Sequence, residues 1–112
     1  MKPILLWMLL LGLGACGPAE YINQVTRRAS AALAAARESG AEKYAPYEWT
    51  SAVEYLHKAR EEAGYADFQA AIRFGKQSED MALKARQISA KTTEQNEDVE
   101  AAPHEHQSDS DQ

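Results

Sequence analysis

The sequence predicts an all-α protein, namely a small alanine-rich bundle of three helices between a cleaved signal peptide and a disordered acidic tail. Between residues 19 and 91, apolar residues recur every three or four positions, which is the spacing of amphipathic helices. Proline and glycine divide this region into three segments. Alanine, which has the highest helix propensity but buries little area, fills much of each segment.

The first sixteen residues have the layout of an export signal, with Lys2, an apolar run over residues 3–15 and small residues at its end. Thirteen residues are too few to span a bilayer, which takes roughly 20. Cys16, the only cysteine, directly follows Leu-Gly-Ala. This resembles the bacterial lipobox, in which the thiol is acylated after residues 1–15 are removed. The alternative is an ordinary signal peptide with an incidental thiol.

Gly17 follows the cysteine at a position where lipoproteins retained at the inner membrane carry Asp. The resemblance therefore implies an outer-membrane lipoprotein, with its body in the periplasm rather than on the cell surface. One cysteine permits no internal disulfide, so the domain at residues 16–92 must be held together by packing alone.

The first helix is predicted over residues 19–39. Pro18 suits a first turn, and Ser39-Gly40 is a plausible stop. The sequence leaves open whether this helix packs on the others or acts as a stalk. Its apolar stripe consists of Tyr21, Ile22, Val25, Ala29, Ala32, Leu33 and Ala36.

The second and third helices are predicted over about residues 46–64 and 67–91, with Gly64 at or just after the end of the second and Asp67 as the cap of the third. A turn this short makes them an antiparallel hairpin. The stripe of the second helix is Trp49, Ala52, Val53, Leu56, Ala59 and Ala63, and that of the third is Phe68, Ala71, Ile72, Gly75, Ala82 and Ala85.

The third helix carries a second apolar line, Ala70, Phe74, Met81 and Ile88, on an adjoining face. A helix that is apolar over more than half its circumference needs further cover, so we expect it to lie centrally. The predicted partner-binding residues are Tyr44, Tyr47, Phe74, Met81 and Ile88. The aromatic residues Tyr44, Tyr47, Trp49 and Tyr65 are expected at one end of the hairpin, either as a docking surface or as core filling.

Residues 93–112 contain seven acidic side chains and no Lys or Arg, and we expect this segment to be disordered. A nearly neutral body with an acidic tail excludes nucleic acid as a partner. Within the tail, His104 and His106 flank a glutamate and are candidates for weak metal binding. No cofactor, small-molecule substrate or catalytic residue is expected.

Two family resemblances emerge from particular residues. Tyr55, Ala59, Gly64, Asp67-Phe68, Ala71-Ile72 and Phe74 have spacings similar to those of a tetratricopeptide helix pair, although no second copy follows. The segment Tyr44-Ala45-Pro46-Tyr47-Glu48-Trp49 and its surroundings, from Ala41 to Ile72, resemble the bacterial lipoprotein family named domain of unknown function 4398. That family has no assigned activity, so the resemblance implies a short helical domain behind a lipobox and no catalytic residues.

These observations predict a lipid-anchored, non-enzymatic envelope protein that acts as a scaffold or adaptor for another envelope protein. Self-association through the same surface is an alternative, and so is weak metal or cation binding by the histidines of the acidic tail.

Overall fold

Four α-helices lie between Pro18 and Ala101. The structure is a computed structural model that describes residues 3–4 and 17–102. The helices are α1 (Pro18–Glu38), α2 (Ala41–Tyr44), α3 (Pro46–Gly64) and α4 (Phe68–Ala101). The all-α prediction is confirmed, and the described residues contain no strand. The three predicted helices are present, whereas the single turn of α2 was not predicted.

The corner between α1 and α3 is built around Gly40, whose φ of 80° lies in the left-handed region that glycine adopts without strain. The Ser39 hydroxyl donates to the Ala36 carbonyl (2.8 Å) and ends α1. The Gly40 carbonyl then accepts from the N–H of Tyr44 (3.0 Å), which closes α2. Ala45, which precedes Pro46, has a non-helical backbone with φ −138° and ψ 56°, and that proline occupies the first turn of α3.

The turn between α3 and α4 makes the two helices an antiparallel hairpin. An oxygen of Asp67 accepts from the N–H of Ala70 (3.0 Å), so the prediction that Asp67 caps the third helix is confirmed. The predicted bounds of the second helix, 46–64, are confirmed, with Gly64 as the last residue of α3 and Tyr65 as the residue after it. The left-handed residue is Ala66, with a φ of 60°.

Helix α4 presents one continuous stripe of small side chains to the rest of the bundle. Their spacing alternates between four and three residues, which keeps a stripe on one side of a helix along its length. All of them are buried: Ala71, Gly75, Ser78, Ala82, Ala85 and Ser89. The sequence prediction omitted the two serines. Ser78 Oγ donates across the bundle to the Ala52 carbonyl of α3 (2.7 Å), and Ser89 Oγ donates to Ala85 of its own helix (2.8 Å).

Helix α1 packs on the hairpin along its whole length, which settles the choice between packing and a stalk. Near its start, Val25 lies so close to Gly75 that a Cβ on Gly75 would collide with Val25 Cγ1. Further along, Ala29 and Leu33 share a core cluster with Ala82. At its end, Ala36 packs with Ala41, Ala45 and Ala85. Residues 25, 29 and 36 of α1 pack against successively later residues of α4, namely 75, 82 and 85, so the two helices run parallel.

Helix α4 is longer than predicted. It continues to Ala101 instead of ending near residue 91, so the prediction of a disordered tail from residue 93 is wrong for residues 93–101. An established helix extends without a new nucleation cost, and residues 92–101 contain no Gly or Pro. Ala102, which precedes Pro103, is extended and follows the end of the helix. Residues 103–112 lie outside the described part.

Three residues of the predicted stripes are more exposed than expected. Tyr21, Val53 and Phe68 belong to the predicted apolar faces but lie at the margins of the bundle. The small residues of α4 leave room for a narrow core only, so the outer members of each stripe stay in contact with water. Leu56 of α3 and Ile22, Val25 and Leu33 of α1 are the larger aliphatic side chains that are buried.

Candidate functional site

Two adjoining depressions lie on the surface of the α3/α4 hairpin. The larger, about 610 Å³, is lined by Pro46, Tyr47, Thr50, Ser51, Glu54 and Tyr55. The smaller, about 280 Å³, is lined by Tyr55, Gln77, Asp80, Met81 and Lys84. Tyr55 lines both, and we call the two depressions together the hairpin groove. The larger is lined by residues of α3 alone, and the smaller by Tyr55 of α3 and four residues of α4.

Helix geometry explains why these residues meet. Tyr47, Ser51 and Tyr55 are four residues apart in α3 and therefore lie on one face. On α4, Gln77, Met81 and Lys84 follow the same rule with spacings of four and three. The antiparallel hairpin places Tyr55 of α3 beside this face of α4, which forms the smaller depression.

An aromatic pair joins the two helices within this surface. The rings of Tyr55 and Phe74 are stacked, with centroids 6.2 Å apart and an interplanar angle of 21°. The Arg73 guanidinium lies over the Phe74 ring, 5.3 Å from its centroid. Such aromatic pairs contribute about 0.5–1.5 kcal/mol beyond the area they bury. The Tyr55–Phe74 pair therefore fixes the position of Tyr55, where the two depressions meet.

The rim of the groove is charged with both signs. Glu54 lies on the α3 side, and Asp80 and Lys84 lie on the α4 side, all of them exposed. The apolar area comes from Tyr47, which is 70% exposed, together with Tyr55 and the half-buried Met81. An apolar floor with a polar rim is the arrangement found in protein–protein interfaces.

The structure divides the five predicted partner-binding residues into two groups. Tyr47 and Met81 line the hairpin groove, and Phe74 adjoins it through Tyr55. Ile88 and Tyr44 lie instead at the α2 corner. Ile88 packs against the cluster of Ala36, Ala41, Ala45 and Ala85. The Tyr44 ring packs against Gly40, where an added Cβ would lie 3.1 Å from its Cδ2.

The predicted grouping of four aromatic residues at one end of the hairpin is wrong for Tyr65. Tyr65 follows α3, whereas Tyr47 lies in its first turn, and eighteen residues of helix separate them by about 27 Å. Trp49 is half-buried and packs against both core clusters, so it fills the core.

The sequence prediction missed Tyr55 as a groove residue. In the sequence, Tyr55 contributes only to the two family resemblances and to no predicted binding surface. The signal was present, since Tyr55 is two helical turns after Tyr47 and shares its face.

Three of the predicted site residues cannot be placed. Cys16, His104 and His106 lie outside the described residues. In the part of the chain that the structure does describe, no group of His, Cys, Asp and Glu side chains is arranged to hold a metal ion. None of the helices there is both long enough and apolar enough to cross a bilayer.

Comparison with known proteins gives one match. The family model described as "Domain of unknown function (DUF4398)" matches residues 26–102, which include most of α1 and all of α2, α3 and α4. No curated protein and no solved structure matches the chain.

Proposed function

The chain belongs to the DUF4398 family, which is defined by a domain of unknown function, and from this premise we propose that it is a lipid-anchored adaptor of the cell envelope. In this proposal Cys16 carries the lipid, and the hairpin groove binds another envelope protein. The observation that carries the proposal is Tyr47, a large aromatic side chain held 70% exposed at the edge of an apolar depression.

The anchoring half of the proposal rests on the amino-terminal residues. Cys16 follows Leu-Gly-Ala at the end of an apolar run that is too short to stay in a bilayer as a span. Acylation consumes a thiol that would otherwise be reactive in an oxidising compartment. Multiple acyl chains supply the membrane affinity that a single chain does not. Gly17 favours the outer membrane, with the body in the periplasm.

The binding half rests on the character of the groove. Tyrosine is enriched at interaction hot spots because it combines a large apolar ring with a hydrogen-bonding hydroxyl. Tyr47 and Tyr55 supply two such rings in adjoining depressions. The exposed Glu54, Asp80 and Lys84 around them are suited to orient a partner by charge.

The structure guides the choice of test variant. Met81 packs against the core and Phe74 is stacked on Tyr55, so a charge at either position would disturb packing as well as binding. Tyr47→Glu changes the exposed ring alone. Leu83→Glu is the matched control, because Leu83 is an apolar residue of α4 that is 44% exposed and lies outside the groove.

The experiment is co-purification of crosslinked complexes from native envelopes that contain the wild-type chain, Tyr47→Glu or Leu83→Glu. We expect Tyr47→Glu to lose a partner that both other chains retain, with unchanged helical circular dichroism. Equal recovery of every partner by all three chains would contradict the proposal. If the lost species has the mass of a second copy, the groove mediates self-association instead, and sedimentation of the chain from Gly17 onward would show a dimer.

A further inference from the structure

The start of α1 and the α3–α4 turn lie at the same end of the bundle. Val25 packs against Gly75, and each lies seven residues after the start of its own helix, Pro18 for α1 and Phe68 for α4. Because α1 and α4 are parallel, both helices begin about 10 Å below this contact, at one level. We call this level the anchor end.

Aromatic side chains are exposed at the anchor end. Tyr65 in the turn is 76% exposed, and Tyr21 and Phe68, in the first turns of α1 and α4, are 43% and 37% exposed. The Lys76 ammonium lies 6.0 Å from the Tyr21 ring centroid. Aromatic rings with a neighbouring lysine are typical of protein surfaces at the membrane–water interface.

The chain between the proposed lipid and the bundle is very short. Gly17 alone separates Cys16 from Pro18, where α1 begins. Two residues span at most about 7 Å when fully extended. An acylated Cys16 at the bilayer surface therefore holds the first turn of α1 within the interfacial region, and the α3–α4 turn comes with it.

Charge does not distinguish the two ends of the bundle. The first turn of α1 and residues 61–70 together carry four acidic side chains and no Lys or Arg, and residues 92–101 of α4 carry the same number. At the anchor end, Lys58 lies 3.2 Å from Glu61 and 3.6 Å from Glu62 and offsets part of that charge. The short tether and the exposed rings therefore favour contact between lipid and the anchor end.

We propose that the anchor end rests on the bilayer with Tyr21, Tyr65 and Phe68 in the lipid headgroup region, so that the bundle stands upright. The inference rests on the proposed acylation of Cys16. A helix of 34 residues is about 50 Å long, so the acidic end of α4 points away from the membrane by that length. The hairpin groove, on the side of the upright bundle, remains open to a partner.

The test uses the full mature chain, purified with its lipid and reconstituted in vesicles of phosphatidylethanolamine and phosphatidylglycerol. A nitroxide is attached to Gly64→Cys at the anchor end or to Lys43→Cys in α2 at the opposite end. Position 64 tolerates the label because nothing lies within 4 Å of a Cβ placed there. We expect the accessibility of the label to a water-soluble nickel relaxant to be several-fold lower at position 64 than at position 43.

A second arm removes the aromatic contact. The substitutions Tyr21→Ser, Tyr65→Ser and Phe68→Ser together should restore nickel accessibility at position 64, whereas Leu83→Ser should not. If circular dichroism shows the triple variant to be unfolded, Tyr65→Ser alone serves, because Tyr65 is the most exposed of the three. If a folded variant, triple or single, does not raise the nickel accessibility at position 64, the inference that the aromatic rings contact the bilayer is wrong.

The other outcomes are distinct. Two equally accessible labels would mean that the bundle is held off the surface, and two equally protected labels would mean that it lies flat. Either result overturns the upright orientation while leaving the adaptor proposal intact. Mass spectrometry of the same preparation reports the acyl groups, and a bare Cys16 thiol would overturn both proposals.

Discussion

Replacement of Gly75 by alanine tests the packing of α1 against α4. In the interior of a helix, Gly→Ala ordinarily stabilises by about 1 kcal/mol because alanine loses less conformational entropy. Here the new Cβ would collide with Cγ1 of the buried Val25. Valine is stiff about χ1 in a helix, so it cannot rotate away cheaply. Overpacking of this kind costs about 2 kcal/mol, and Gly75→Ala should therefore lower the free energy of unfolding by about 1 kcal/mol.

A double-mutant cycle isolates the contact. Val25→Ala removes both γ methyl groups, including the colliding Cγ1, and by itself costs about 2 kcal/mol. In the Val25→Ala background the new Cβ meets no obstruction, so Gly75→Ala should raise the free energy of unfolding by about 1 kcal/mol. The predicted coupling between the two substitutions is thus about 2 kcal/mol.

The assay is urea unfolding of the chain from Gly17 onward, followed by far-ultraviolet circular dichroism. Gly64→Ala is the matched control, since an added Cβ there meets nothing within 4 Å, and it should stabilise. If Gly75→Ala stabilises the wild-type chain as much as Gly64→Ala does, and shows no coupling to Val25, α1 does not lie against α4. The packing described above would then be wrong.

Four further substitutions test three local features by the same unfolding measurement. Ser78→Ala removes the buried hydrogen bond to the Ala52 carbonyl and should lower the free energy of unfolding by about 1 kcal/mol. Ser89→Ala removes only a bond within α4 and should leave that free energy almost unchanged. Equal effects of the two substitutions would refute the inter-helix bond. Ala66→Gly should stabilise by about 1 kcal/mol because it relieves a left-handed alanine, and a loss would count against that conformation. Asp67→Ala should cost about 1 kcal/mol by removing the cap of α4, and an unchanged midpoint would contradict it.

The hairpin could be predicted from the sequence because local signals determine it. Pro46 starts α3 and Asp67 caps α4, and both features are visible in the residues themselves. The end of α4 differs from the prediction because an acidic composition is typical of disorder but does not by itself stop a helix. Pro103, the first residue beyond Thr92 that cannot continue a helix comfortably, was the better guide.

The details of packing were harder to predict, since they depend on size rather than on polarity. Ser78 is buried because only a small side chain fits between α4 and α3, and its hydroxyl is satisfied by a carbonyl that belongs to another helix. A count of apolar residues excludes such a serine from the core. Its spacing with Gly75 and Ala82 was the available signal.

The candidate site was predicted in part. Tyr47, Phe74 and Met81 come together at or beside the hairpin groove, because they lie on faces that the antiparallel hairpin brings side by side. Ile88 was grouped with them by its spacing along α4 alone. The α2 corner that covers Ile88 depends on the left-handed turn at Gly40, which the helical pattern does not reveal.

The adaptor proposal is tested most directly by site-specific photocrosslinking from position 50 in the native envelope. Thr50 is an exposed residue of the hairpin groove. A photoreactive residue there should give one discrete adduct that disappears with Tyr47→Glu, and the same residue at position 83 should not give it. An adduct that persists with Tyr47→Glu, or that forms equally from position 83, would contradict binding through the groove.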